Sequence, residues 1–408
     1  MTVTTDRDDR AGAFRRARRR DARRAFALAV PLLAFLLITF IAPIVMLLMR
    51  GVQNPELSRA MPVLSASIGA WDGTGLPDET IAAAFAADLP GAQESGSLGP
   101  LARRLNFYLP EFRSLLMKTA RRLPPAADDW RAALAAIDDR WATPAPWRVL
   151  QRAAINPTPD YLLAAMDAKV GPEGGVTSAP ADESVYVDAF GRTFWISAVV
   201  TVLCLVFGYP VAWLLANLPP KQADRLMILV IVPFWTSLLV RTTAWYVLLQ
   251  PGGVINSLLI WSGLTAEPLP LVFNRTGVLI GMTHILLPFM ILAIYSVMKG
   301  ISPTYMRAAL SLGAHPVVAF LRIYLPQTLP GVGAGCFLVF VLALGYYITP
   351  ALLGGAGDEM ISQLIAIQTN QQLNWGLAGA LSAYLVLFTL VFYFIFNKLV
   401  GVDRLRFG

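Results

Sequence analysis

The side chains that ordinarily do chemistry are sparse in the apolar parts of this 408-residue chain, and they are not arranged for catalysis. The long apolar segments contain no Asp or Glu, and the stretch 299–330 also lacks a carboxylate, so neither offers a general acid or base pair. His284 stands alone in an apolar segment, as a hydrogen-bonded packing residue or a proton relay. Cys204 and Cys336 lie in apolar segments and are expected to be free buried thiols. No G-x-x-x-x-G-K-[ST] motif occurs, so the chain is not expected to hydrolyse ATP or to bind a cofactor or metal of its own. Arg241 is the conspicuous charge inside an apolar run, where facing lipid is costly. It faces an interface or a watery path, or snorkels outward. A cationic solute would want carboxylates or aromatic faces. Phe234, Trp235, Trp245, Tyr246, Tyr346 and Tyr347 supply rings, and Glu267, Asp358 and Glu359 are the acids near the same ends. The candidate solute path is therefore Trp235, Arg241, Trp245, Tyr346, Tyr347 and Glu359.

A second stretch, 307–326 (RAALSLGAHPVVAFLRIYLP), offers shape rather than reactivity. Ser302 and Pro303 suit the N-cap and first position of a helix. The helix is expected to run to Leu312, with Tyr305, Ala308, Ala309 and Leu312 along one face, and Gly313 ends it. The small residues Ala308 and Ala309 allow close approach by another protein. Pro316 starts a second helical piece, expected to stop at Leu325 and Pro326.

The elements that position these residues are membrane spans. Hydrophobic residues make up 56% of the chain and charged residues 14%, which excludes an ordinary soluble domain. Spans are expected at 26–49, 194–217, 226–249, 278–298, 332–353 and 376–399. The formal charge of +7 reflects topology, not nucleic-acid binding. Residues 1–24 hold nine Arg against four Asp, whereas 50–188 hold 13 Lys/Arg against 17 Asp/Glu. Basic flanks stay in the cytoplasm, so both termini are expected there, as are the loops at 219–225 and 299–322. The basic start resembles an export signal, but the apolar run after it is too long and lacks a cleavage site, so it is expected to remain as an anchor. Residues 50–190 form an insertion on the outer side, expected to be mainly helical over 76–89, 105–123 and 128–141, with a flexible return linker at 171–184. Trp130, Trp141, Trp147, Phe107 and Phe112 are candidates for its core. The insertion is a platform for a partner or a structural elaboration. Pro210, Pro233 and Pro288 fall within spans and are expected to kink them, and GYYITPALLGG fits a broken helix.

The spacing from Ala308 resembles the signature loop of permease subunits of ATP-binding-cassette (ABC) importers: Glu-Ala-Ala, three residues, Gly, nine residues, Ile, one residue, Leu-Pro. Ala308, Ala309, Gly313, Ile323, Leu325 and Pro326 match it, and Arg307 stands where the family has Glu. Residues 190–400 are similar to spermidine/putrescine-type permeases, through segments such as VPFWTSLLVRTTAWYVLL and GYYITPALLGG. The resemblance implies an all-α integral membrane protein with six transmembrane helices of the type I importer permease fold and a periplasmic insertion. It implies a bacterial inner-membrane permease that works by alternating access with a cytoplasmic ATPase dimer using ATP and Mg²⁺, a second permease, in this group a homologue, and a periplasmic solute-binding protein. Arg307, Ala308, Ala309, Gly313, Ile323, Leu325 and Pro326 would then be the ATPase-coupling residues. The solute implied is a polyamine or a related small organic molecule, although Arg241 on the path would repel a polyamine. The rival class, a secondary transporter or channel, would show inverted repeats or paired ionisable residues at mid-membrane.

Overall fold

The computed structural model describes residues 26–170, 175–180 and 184–400, and the tails expected at 1–25 and 401–408 lie outside the described residues. Where no water is available the backbone must satisfy its own hydrogen bonds, which favours continuous helices. The bundle is built from α1 (Phe26–Arg50), α2 (Tyr186–Asn217), α3 (Pro220–Ile231), α4 (Leu238–Leu249), α5 (Arg275–Met298), α6 (Thr304–Ser311), α7 (Pro316–Gly345), α8 (Ile348–Leu353) and α9 (Trp375–Val400). Among the described residues five helices are long and apolar enough to cross a membrane, or six when the bent pair Pro220–Trp235 and Leu238–Trp261 counts as one span.

That pair covers the span expected over 226–249 and bends at the expected Pro233 kink, its halves standing 98° apart. Pro233 sits in a tight turn, Val232–Trp235, and Thr236 and Ser237 are extended. Ser237 Oγ then accepts the Val240 N–H at 3.2 Å and caps α4. A correction concerns α7, which passes through Leu325 and Pro326 and ends only at Gly345. Pro326 has no N–H to donate, and its ring crowds the carbonyl four residues back. The helix absorbs this as a π turn at Phe320–Tyr324, in which the Leu325 N–H donates to Phe320 O. Pro210 and Pro288 lie inside α2 and α5, which continue through them.

The helices α2, α5 and α7 pack together around Val200, Cys204, Met282, Leu286, Met290 and Val339. Close approach depends on small residues, as is usual between membrane helices. A Cβ on Gly335 would meet Met290 Sδ at 2.7 Å, and one on Gly331 would meet Val297 Cβ at 2.9 Å. The most enclosed span is α5, with 61% of its apolar window buried, whereas that of α1 is 0% buried. On the outside of the bundle, α1 touches α9.

The insertion has its own core, in which Phe85, Phe112, Trp141 and Trp147 are fully buried. Phe85 lies 4.8 Å from Trp141, and Trp141 lies 5.1 Å from Trp147, ring to ring. Trp130 packs at the edge of this core, while Phe107 turns to Tyr161 and belongs to the contact with the bundle. The helix expected over 105–123 is interrupted at Pro110 and at Glu111, whose φ is 66°. The linker expected at 171–184 supplies a strand in its described part: β1 (Ala168–Val170) pairs antiparallel with β2 (Val176–Ser178). Several contacts among the described residues tie the insertion to the spans, two of them at the starts of α2 and α9. The Asp167 carboxylate accepts the N–H groups of Val185, Tyr186 and Val187 at 3.1, 3.0 and 2.7 Å, capping α2. The Tyr161 ring presses on Gly376 of α9, leaving no room there for a side chain.

Candidate functional site

Between α5 and α7 the chain makes a helix, a turn and a second helix. Ser302 Oγ accepts the Thr304 N–H at 3.3 Å and starts α6. The turn after α6 is closed by Gly313 N–H to Leu310 O at 3.0 Å and Ala314 N–H to Ala309 O at 3.1 Å. Gly313 adopts φ +85°, and a Cβ there would meet nothing within 4 Å. Glycine is therefore favoured by backbone conformation alone. Consecutive helical residues lie about 100° apart, so Ala308 and Ala309 do not share a face. Ala309, expected to face outward, is buried against the bundle, while Ala308, Arg307 and Tyr305 are exposed. Leu312 is 89% exposed. Ile323 and Leu325 are half-buried and Pro326 is exposed on α7. Beside α6 lies a cavity of about 420 Å³ lined by Trp213, Met306, Val317, Phe320 and Tyr324. This loop presents an acid-free surface of exposed apolar residues and Arg307, which suits contact rather than catalysis.

Within the spans, Arg241 and Trp245 lie one turn apart on α4. The Trp245 ring meets His284 of α5 edge-on at 5.3 Å. Arg241 is within electrostatic reach of His284 and of Tyr346, at the end of α7. Among the described residues, Arg241 Nε and Nη1 and His284 Nδ1 are buried with no hydrogen-bond partner. The structure thus gathers Arg241, Trp245 and Tyr346, adding His284, whose place beside Arg241 was not visible in the sequence. Trp235 stands at the bend and is 81% exposed, and Tyr347 is also exposed. The bend is held by Phe234 against Phe289, just after Pro288, at 4.9 Å.

The remaining acids belong to a clamped loop. Arg275 Nε lies 3.0 Å from Asp358 Oδ1, and Asp358 Oδ2 accepts the Gly355 N–H at 3.3 Å. Asp358 is thereby occupied, which removes it from the acids offered to a cationic solute. Arg192 donates to the backbone carbonyls of Gly357 and Glu359, both at 2.8 Å. Glu359 is half-buried in this loop. Arg192 and Arg275 were missed in the sequence because their partners lie 165 and 83 residues away.

Residues 189–402 match the family described as binding-protein-dependent transport system inner membrane component. The spermidine/putrescine transport system permease protein PotB of Escherichia coli (strain K12) is 36% identical over 205 residues, 50% of this chain and 74% of that protein. The protein of the same name from Haemophilus influenzae is 34% identical over 220 residues, 53% of this chain and 77% of its own length. A solved bacterial ABC transporter involved in the import of the acidic polysaccharide alginate aligns with a TM-score of 0.43 at 21% identity, covering 54% of this chain and 80% of that one. The insertion precedes the matched family region.

Proposed function

The chain belongs to the family of binding-protein-dependent transport system inner membrane components, and from that premise we propose that it is one permease subunit of an ATP-driven importer of polyamines or a related small organic solute. A cytoplasmic ATPase dimer, using ATP and Mg²⁺, docks on the loop of Arg307, Ala308, Gly313 and the start of α7. Ala309, Ile323, Leu325 and Pro326 shape that loop from within and behind. A second, homologous permease completes the path, and a periplasmic solute-binding protein delivers the solute. Both termini and α6 lie on the cytoplasmic side, and the insertion lies on the periplasmic side.

The observation that carries this reading is the α6 loop. Its exposed Leu312, followed at once by a glycine in a left-handed turn, is an apolar knob on a defined backbone, and such a feature suits a partner's groove. The polyamine assignment draws on the named transport role of the two relatives. When the ATPases close on ATP, α6 moves with them and the spans exchange outward for inward access. Solute passes Arg241, Trp245 and Tyr346, with Trp235, Tyr347 and Glu359 further along the path. The chain itself supplies no hydrolysis. The test is uptake of labelled putrescine and spermidine by cells with and without the chain, together with recovery of an ATPase on the affinity-tagged protein. Chain-independent uptake of both solutes would overturn the solute assignment, and recovery without any ATPase would overturn the coupling assignment.

A further inference from the structure

Where the insertion meets the spans it leaves a cleft of about 1600 Å³, at the level of Arg50, the last residue of α1, and Trp375, the first of α9. One wall is apolar and lies along the span: Pro43, Met46 and Leu47 of α1. The rest of the chain leaves the apolar window of α1 uncovered. The facing wall is cationic, with Arg59, Arg103 and Arg113, and Arg50 at the rim. All four are exposed, and among the described residues none has a carboxylate partner.

At the back of the cleft Arg104 is built in. Its side chain is 1% exposed, and its guanidinium lies 3.9 Å from the Tyr161 ring centre. Nε donates to Asn54 Oδ1 at 2.8 Å, and Nη2 donates to the Tyr108 hydroxyl and lies 3.7 Å from Asp160 Oδ2. Arg104 Nη1 is buried with no hydrogen-bond partner among the described residues. Asp160 is bound by Arg152 as well. Burial alone would raise the Asp160 carboxyl, but hydrogen bonds with Arg152, Tyr108 and Thr158 outweigh it and hold the group below the usual carboxylate range. Asp160 and Glu56 are the carboxylates of the lining, and the arginines outnumber them.

We infer that this cleft holds the phosphate headgroup of an anionic phospholipid, whose acyl chains lie along the exposed face of α1. Guanidinium groups match phosphate oxygens in pairs, and a cleft lined by unpaired arginines concentrates anions at its mouth. A soluble anion would use the arginines alone. The wall of Pro43, Met46 and Leu47 belongs to α1, a helix long and apolar enough to cross a membrane, and only a lipid uses both walls.

The test uses the full purified chain, exposed to equal amounts of phosphatidylglycerol and phosphatidylcholine, with retained lipids counted by native mass spectrometry. The wild type should prefer phosphatidylglycerol by about tenfold or more. The exposed-arginine variant Arg50→Gln, Arg59→Gln, Arg103→Gln, Arg113→Gln should lose that preference. The control Arg121→Gln, Arg122→Gln, with two exposed arginines removed outside the cleft, should keep it, and both variants should unfold at the wild-type temperature. A wild type without preference, or a quadruple variant that keeps it, overturns the proposal. So does displacement of the lipid by glycerophosphate as effective as that by phosphatidylglycerol, which would make the site one for a free anion. If the quadruple variant keeps its lipid and instead loses stimulation by a binding protein, the arginines serve an acidic partner surface and the lipid is excluded.

Discussion

Replacing Gly313 separates the shape of the α6 loop from the stability of the fold. The residue sits at φ +85° with open space around its missing side chain, so a substitution meets no steric clash and its cost is conformational. An L-residue in this region costs about 1–2 kcal/mol, with β-branched residues at the upper end and Asn least affected. That cost lowers the population of the native turn by roughly 5- to 30-fold. The turn is exposed, so little packing is lost elsewhere, and thermal unfolding of Gly313→Val should move by only a few degrees at most. Uptake in cells and stimulated ATPase rate in proteoliposomes should fall in the order Gly, Asn, Ala, Val, while the amount of protein in the membrane stays constant. Wild-type uptake by Gly313→Val would refute the argument that this turn transmits the stroke. A loss of uptake that tracks loss of folded protein would refute the claim that the cost is local.

Three further outcomes are expected. Gly376→Leu drives a side chain into the Tyr161 ring, an overpacking cost of about 1–3 kcal/mol, and should open the junction between insertion and α9 to proteolysis without unfolding the core around Trp141. Asp160→Asn removes the carboxylate shared by Arg104 and Arg152 and should destabilise the insertion by about 3 kcal/mol, since buried arginine charge is left uncompensated. Because the folded Asp160 is held below its unfolded value near 4, its stabilisation is full above about pH 4 and is lost as pH falls through the lower folded value; unfolding temperature followed from pH 7 to pH 3 should therefore fall less steeply in the Asn variant. Arg241→Leu removes a cation that would repel a polyamine on the path and should raise uptake while leaving basal ATPase activity and membrane level intact, measured by uptake and hydrolysis in the same proteoliposomes, and unchanged uptake would remove Arg241 from the path.

Local chemistry made much of the fold legible. Apolar runs of span length follow from the absence of water in the bilayer, and Gly313 marks a turn because only a residue without Cβ adopts it freely. The Ala-Ala, Gly, Ile, Leu-Pro spacing was visible for the same reason, since it is local along one segment. What was misjudged lies where tertiary packing competes with local preference. Pro326 predicted a stop, but a π turn takes up its missing donor and α7 continues. Pro233 predicted a kink in the span over 226–249, and extended Thr236 and Ser237 carry it further into a full break, with Phe234 packed on Phe289 beside it.

Sequence alone determined that this is a helical membrane protein, where its apolar spans lie, and where the loop between α6 and α7 turns at a glycine, because hydropathy, charge and turn chemistry act over a few residues. Only the tertiary structure decided that Arg241, His284, Trp245 and Tyr346 share one neighbourhood, that Asp358 is taken by Arg275, and that Ala309 turns inward while Ala308 does not. Those outcomes depend on how helices distant in the chain are brought together and on which side of each helix faces the bundle.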